Sequence, residues 1–134
     1  MGRIFPKRII ALLLLIAVLC PKAGAESASE LTLATREAGT WLHMLDDEKY
    51  RECMESLRYP PKSQRGWLQD RQSERAEWGD ILERELESTS RSPDSFQFKY
   101  RAKFQKGLAY QLVKVQRFGV VRWAVSSYKI EKKN

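Results

Sequence analysis

From residue 31 the apolar positions recur at helical spacing. Leu31, Ala34, Ala38, Trp41, Leu42 and Leu45 fall on one face of a first helix. Ser27-Ala28-Ser29-Glu30, just ahead of it, reads as a capping box. Asp46 and Asp47 end this helix and are placed to cap the next. Tyr50, Cys53, Met54 and Leu57 then stand at i, i+3, i+4 and i+7, and Tyr59-Pro60-Pro61 stops that second helix. Ser63 caps a third, from Gln64 to Trp78, whose stripe is Trp67, Leu68, Arg71, Arg75 and Trp78. An arginine on such a stripe either packs its stem with its guanidinium in water, or is partly buried and fixed by a carboxylate or carbonyls. The first reading is favoured for Arg71, and both stay open for Arg75. Gly79-Asp80 breaks the helix.

After the Arg91-Ser92-Pro93-Asp94 turn the period changes from helical to alternating. Phe96, Phe98, Tyr100, Ala102 and Phe104 alternate with Gln97, Lys99, Arg101, Lys103 and Gln105, which predicts a half-buried strand with one aromatic and one basic face. Lys106-Gly107 turns the chain into a second strand, Leu108 to Arg117. Its apolar positions switch from even to odd between Leu112 and Val113, which predicts a bulge. Phe118-Gly119 turns again. Val121, Trp123 and Val125 begin the last strand, and Tyr128 and Ile130 continue it out of phase, predicting a second bulge. The basic tail is expected to fray. Ile81 to Ser90 is ambiguous by periodicity alone. Helices first and an antiparallel meander afterwards make an α+β domain, with the helices on one face of a curved sheet.

The beginning of the chain has a different character. Arg3, Lys7 and Arg8 precede Ile9 to Cys20, an uninterrupted apolar run of twelve, followed by Pro21 and the small residues Ala23-Gly24-Ala25. This is the pattern of a secretory signal cleaved after Ala25. As a helix the run would rise only about 18 Å, short of the roughly 30 Å hydrocarbon core that an anchor must cross. Leu19 before Cys20 and Pro21 after it argue against a lipid-modified cysteine. Removing 25 of the 134 residues leaves 109, read as one domain, 26–134. Cleavage takes Arg3, Lys7, Arg8 and Lys22, so the net charge of +7 falls to +3. The remainder is uneven. Residues 26–90 hold 9 basic and 15 acidic side chains, and residues 91–134 hold 11 and 2.

Several residues, taken in order, resemble a known pattern. They are Trp41-Leu42, Asp46, Tyr50, Trp67, Arg75-x-x-x-Gly79, Arg84, the aromatic strand through Phe104, Trp123-x-Val125 and Tyr128-x-Ile130. Over roughly residues 36–131 the chain resembles a family of small secreted bacterial proteins known as domain of unknown function 4019. The resemblance implies the cone-shaped α+β fold of nuclear transport factor two, ketosteroid isomerase and the cystatins. That is three N-terminal helices packed on a curved four-stranded antiparallel sheet. It also implies that Ile81 to Arg91 is the first strand and carries Arg84. It implies no reaction. The chain departs from the pattern at Met54, where the family usually has Trp, at Ser127, where Gly usually stands, and at Gln111, where Glu is common. The last change puts any role for that acid in doubt.

Candidate chemistry is sparse. His43 is the one histidine of the chain, and it lies on the side of the first helix away from the apolar stripe. Shielded general-base work is therefore not expected of it. Only Cys53 survives leader removal, on an apolar stripe, where it reads as a buried inert thiol. No metal site, cofactor or nucleophile motif is expected. Gln111-Leu112-Val113-Lys114-Val115 approaches the protease-inhibitor motif Gln-x-Val-x-Gly but has Val for the glycine and lies inside a strand. The expectation is a non-enzymatic binding or interaction module of the periplasm or exterior. Trp41, Trp67, Phe98, Tyr100 and Trp123 would line the cone or form its core, with Arg75 and Arg84 at its mouth or bracing the helix–sheet junction. Lys99, Arg101 and Lys103 would make a basic outer face. The expected partner is an exported protein or an anionic envelope component, not nucleic acid and not a membrane span. The alternative is a small lyase or isomerase using Asp46 or Tyr50 in the cone.

Overall fold

The computed structural model describes residues 29–134. The leader, its cleavage site and the start of the Ser27–Glu30 cap lie outside the described residues. The chain divides into two compact units, Met1–Thr32 and Leu33–Asn134. Residues 29–32 of the first are helical. The second unit carries the architecture below. Its elements are α1 (residues 33–46), α2 (Tyr50–Glu55), α3 (Gln64–Trp78), β1 (Ile81–Ser92), β2 (Ser95–Phe104), β3 (Gly107–Phe118) and β4 (Arg122–Lys132). Three helices and a four-stranded antiparallel open sheet make an α+β unit, and the strand order β1-β2-β3-β4 follows the chain.

β2 supplies the floor of the core. Its even residues, Phe96 to Phe104, are buried, as their alternation predicts. Ala34, Ala38, Trp41, Leu42 and Leu45 of α1 and Cys53 of α2 close over Phe96, Phe98 and Tyr100, with Val113, Val115 and Val125 completing the cluster. A second, smaller cluster, Ala102, Phe104 and Ala109, sits under Trp78, Ile81 and Ile130. Ser63 caps α3 as expected, its Oγ accepting from Gly66 N at 3.0 Å. Gly79 ends it at φ 77°, a left-handed conformation open to glycine at little cost.

Several expectations need correction. α2 ends at Glu55, well before the proline pair, and its N-cap is Lys49, with no side-chain cap. Asp46 and Asp47 therefore do not cap it. Residues 81–92 form a strand, but an edge strand with most of its residues exposed, which is why no period marks it. β3 has no break of phase against β2: Ala109, Gln111, Val113 and Val115 all face inward, and Leu108 is exposed. The even apolar positions belong to the outer face, where Lys99 Nζ covers the Tyr110 ring at 4.1 Å. The second bulge is present. Lys114 pairs with Ser127 and Val115 with Val125, leaving Ser126 extra. β1 carries two further shifts, at Leu82 and Glu87. The tail does not fray at Glu131, since β4 runs to Lys132 and Lys133 N donates to Leu108 O.

Candidate functional site

The polar groups of the interior gather where the C-terminal end of α1 meets α3 and the inward face of the sheet. α1 brings Asp46 there, α2 Tyr50, α3 Arg71, Glu74 and Arg75, and the sheet Gln111 and Tyr128, with Arg84 of β1 bonded to both Asp46 and Gln111. Each sheet residue stands at an inward-facing position, Arg84 opposite Ala102 and Gln111 between Tyr100 and Ile130. The cleft between them measures about 30 Å³, room for about one water.

The groups are already engaged with one another. Arg84 grips Asp46 with two parallel bonds of 2.8 and 2.7 Å, the fork geometry that makes Arg–carboxylate pairs strong. Its Nε donates to Gln111 Oε1 at 2.7 Å, and Gln111 Nε2 donates to Tyr128 Oη at 2.8 Å. Gln111 is 1% exposed, so a neutral amide that both accepts and donates meets its two partners without adding a second buried charge. Arg71 grips Glu74 bidentately at 2.8 and 2.7 Å and lies over the rings of Trp67 and Tyr128. Arg75 holds Asp80 at 3.0 and 2.6 Å and donates to the Asp46 carbonyl at 2.9 Å. Burial raises the Tyr128 hydroxyl far above the ordinary tyrosine range, outweighing its bond from Gln111. Burial also raises Tyr50, with the Glu48 carboxylate adding to it.

The arrangement is a brace. Asp46 and Arg84 are 38 residues apart, and their pair ties the end of α1 to β1, the strand with least cover. Arg84 and Arg75 thus both act at the helix–sheet junction. Arg71 is fixed by a carboxylate and two rings, contrary to the reading with its head in water. Of the five aromatics expected to line a cavity, none lines the cleft. Trp41, Phe98 and Tyr100 are buried in the core, and Trp67 and Trp123 pack against it half-buried. Trp41 is pinned further by Nε1 donating to Cys53 O at 3.0 Å. Burial pushes the Cys53 thiol up to about 12, which makes it a poor nucleophile. His43 is exposed. No cluster of three or more metal-ligating side chains occurs among the described residues.

The basic stripe lies on the outer face of β2 as expected, but it is not bare. Arg101 bonds Glu85 at 3.0 Å, Lys99 is 4.0 Å from Glu87, and Lys103 stands opposite Glu83 in register. These glutamates belong to β1, and they face the stripe across one strand spacing. The residues that sequence reasoning missed are Glu74, Gln111 and Tyr128. One signal was available: Gln111 is polar at a position in phase with Ala109, Val113 and Val115.

Comparison of the chain with protein-family models, with curated proteins and with solved structures yields no match. No described helix is long and apolar enough to cross a membrane.

Proposed function

We propose that the chain is an exported, non-enzymatic interaction module that works in the periplasm or beyond it, cut from its leader after Ala25. We place it with the family of domain of unknown function 4019 and with the cone-shaped folds of the nuclear transport factor two and cystatin type. The helix-first order and the open four-stranded meander support the fold reading. The leader pattern supports the compartment.

One observation carries the functional reading. Both carboxylates that line the cleft, Asp46 and Glu74, are held bidentately by arginines, in a space of about 30 Å³. A general acid or base must exchange its proton with a substrate within hydrogen-bond reach. Here each carboxylate already has one lone pair of either oxygen committed to a guanidinium, which fixes its orientation. The interior is therefore scaffold, and recognition falls to the outer surfaces.

The lyase or isomerase alternative keeps one point in its favour, since Asp46 and Tyr50 line the cleft together. The two readings separate in one experiment. Protein purified from its own host is weighed intact under native conditions, with its N-terminus determined. The module reading expects an N-terminus at Glu26 and a partner, protein or lipid, held outside the cleft. A small molecule held in the cleft and lost in Asp46→Asn would sink it.

A further inference from the structure

The β1–β2 turn at Pro93-Asp94 and the β3–β4 turn at residues 119–121 lie at the same end of the sheet, joined by Arg117 N donating to Asp94 O at 2.8 Å. This end has an unusual surface. Val120 is 88% and Val121 71% exposed at the tip of the β3–β4 turn. Phe118 and Trp123 form its base, half-buried, and Tyr59 beside them is 51% exposed. Two adjacent valines held in water at a turn tip bury nothing within the chain.

The charges around the tip differ from those elsewhere. Arg71, Arg75, Arg84 and Arg101 all hold carboxylates. Arg58 holds none among the described residues. Its guanidinium is stacked near the rings of Tyr59, at 4.9 Å, and Phe118, at 5.2 Å, and its buried Nε has no hydrogen-bond partner among the described residues. Arg122 stands opposite Phe118 in register, and Arg36 lies across the groove that Leu33, Phe118, Val121 and Trp123 line. Among the described residues of the two turns and the groove, the acids are Asp94, exposed in its turn, and Glu37, whose carboxyl burial pushes up.

We propose that this end docks on the surface of an anionic phospholipid bilayer. Val120 and Val121 enter the acyl boundary, and Phe118, Tyr59 and Trp123 sit at headgroup level, where amphipathic aromatic rings are favoured. Arg58 and Arg122 meet the headgroup phosphates. A guanidinium already oriented by two rings loses little freedom when it takes an anion. The binding is peripheral and salt-sensitive, since it joins a small apolar area to a few basic contacts. This inference rests on the module reading and names its partner.

The test uses vesicles of phosphatidylglycerol mixed with phosphatidylcholine, against phosphatidylcholine alone, with bromine on the acyl chains near the headgroup. The readout is quenching of Trp123 emission, assigned by its loss in Trp123→Phe. A leader retained on the purified protein would hold every variant to vesicles, so quenching, not sedimentation, decides. Expected are quenching by the anionic vesicles and its reversal at high salt. Val120→Asp with Val121→Asp weakens it at least about tenfold. Arg58→Gln with Arg122→Gln abolishes the anionic preference, and Lys99→Glu with Lys103→Glu on the sheet face changes nothing. The proposal is overturned by no quenching, by quenching that survives the two aspartates, or by loss that follows the sheet-face lysines. Any of these leaves the module reading to its own mass measurement.

Discussion

Asp46 accepts two bonds from Arg84 through its carboxylate and one from Arg75 through its carbonyl. Both members of the Asp46–Arg84 pair are mostly buried, so removing one strands the other. Asp46→Asn is expected to destabilise by about 2–3 kcal/mol, somewhat less than the loss of a partner in a fully buried pair. Urea unfolding checks it, and a double change to apolar residues of similar volume should cost less than either single change. Cys53 makes a second residue-scale prediction. With its thiol pushed up by burial, it should alkylate only as fast as the protein opens, and a reaction faster than unfolding would refute its packing. Glu37 gives a third, with a sign. Its carboxyl is raised above the ordinary 4.5 by burial, so its contribution is full below that value and is lost as pH rises through the raised one. Glu37→Gln should therefore melt higher than the parent at neutral pH, with the gain vanishing in acid.

At the scale of elements, the ends and edges decide. The helix-to-strand corner turns on Gly79, where an added Cβ would meet Gln105 Oε1 at 2.8 Å and Gln105 Cβ at 3.0 Å, at a φ of 77°. Gln105 also accepts from Asp80 N. Gly79→Ala should therefore cost about 1–3 kcal/mol through strain and a displaced bond, seen as a lower denaturation midpoint with an unchanged slope. Legibility varied with the same geometry. β2 was readable because both its neighbours are strands and the helices cover one face, so Phe96 to Phe104 had to alternate. α3 was readable from Ser63 and Gly79. β1 was not, because an edge strand with most of its residues exposed needs no apolar period, and its bulges at Leu82 and Glu87 break what period there is. β3 misled because Tyr110 and Leu112 are half-buried on the outer face while polar Gln111 points inward. The brace was illegible for another reason. Nothing along the chain marks Asp46 as the partner of a residue 38 positions later, and its place beside Asp47 at a helix end offered a local explanation.

For the whole molecule, the buried tyrosines set an alkaline limit. Tyr100 and Tyr128 are both raised above the ordinary 10.0, chiefly by burial. Their protonated forms support the fold fully below that value, and the support is lost as pH climbs through the raised values. Tyrosine ionisation followed by ultraviolet absorbance should therefore include a late step that coincides with loss of the fold, with Tyr128→Phe moving that step upward. The sheet order has a further consequence, which concerns time. Each strand pairs with the next along the chain, so every hairpin closes a short loop, and the sheet can form without waiting for distant contacts. The helices have no such independence. They are synthesised first, yet the residues their stripes cover run from Phe96 to Val125. The floor under the helices is therefore laid down strand by strand after them, and it is complete only when the last strand brings Val125.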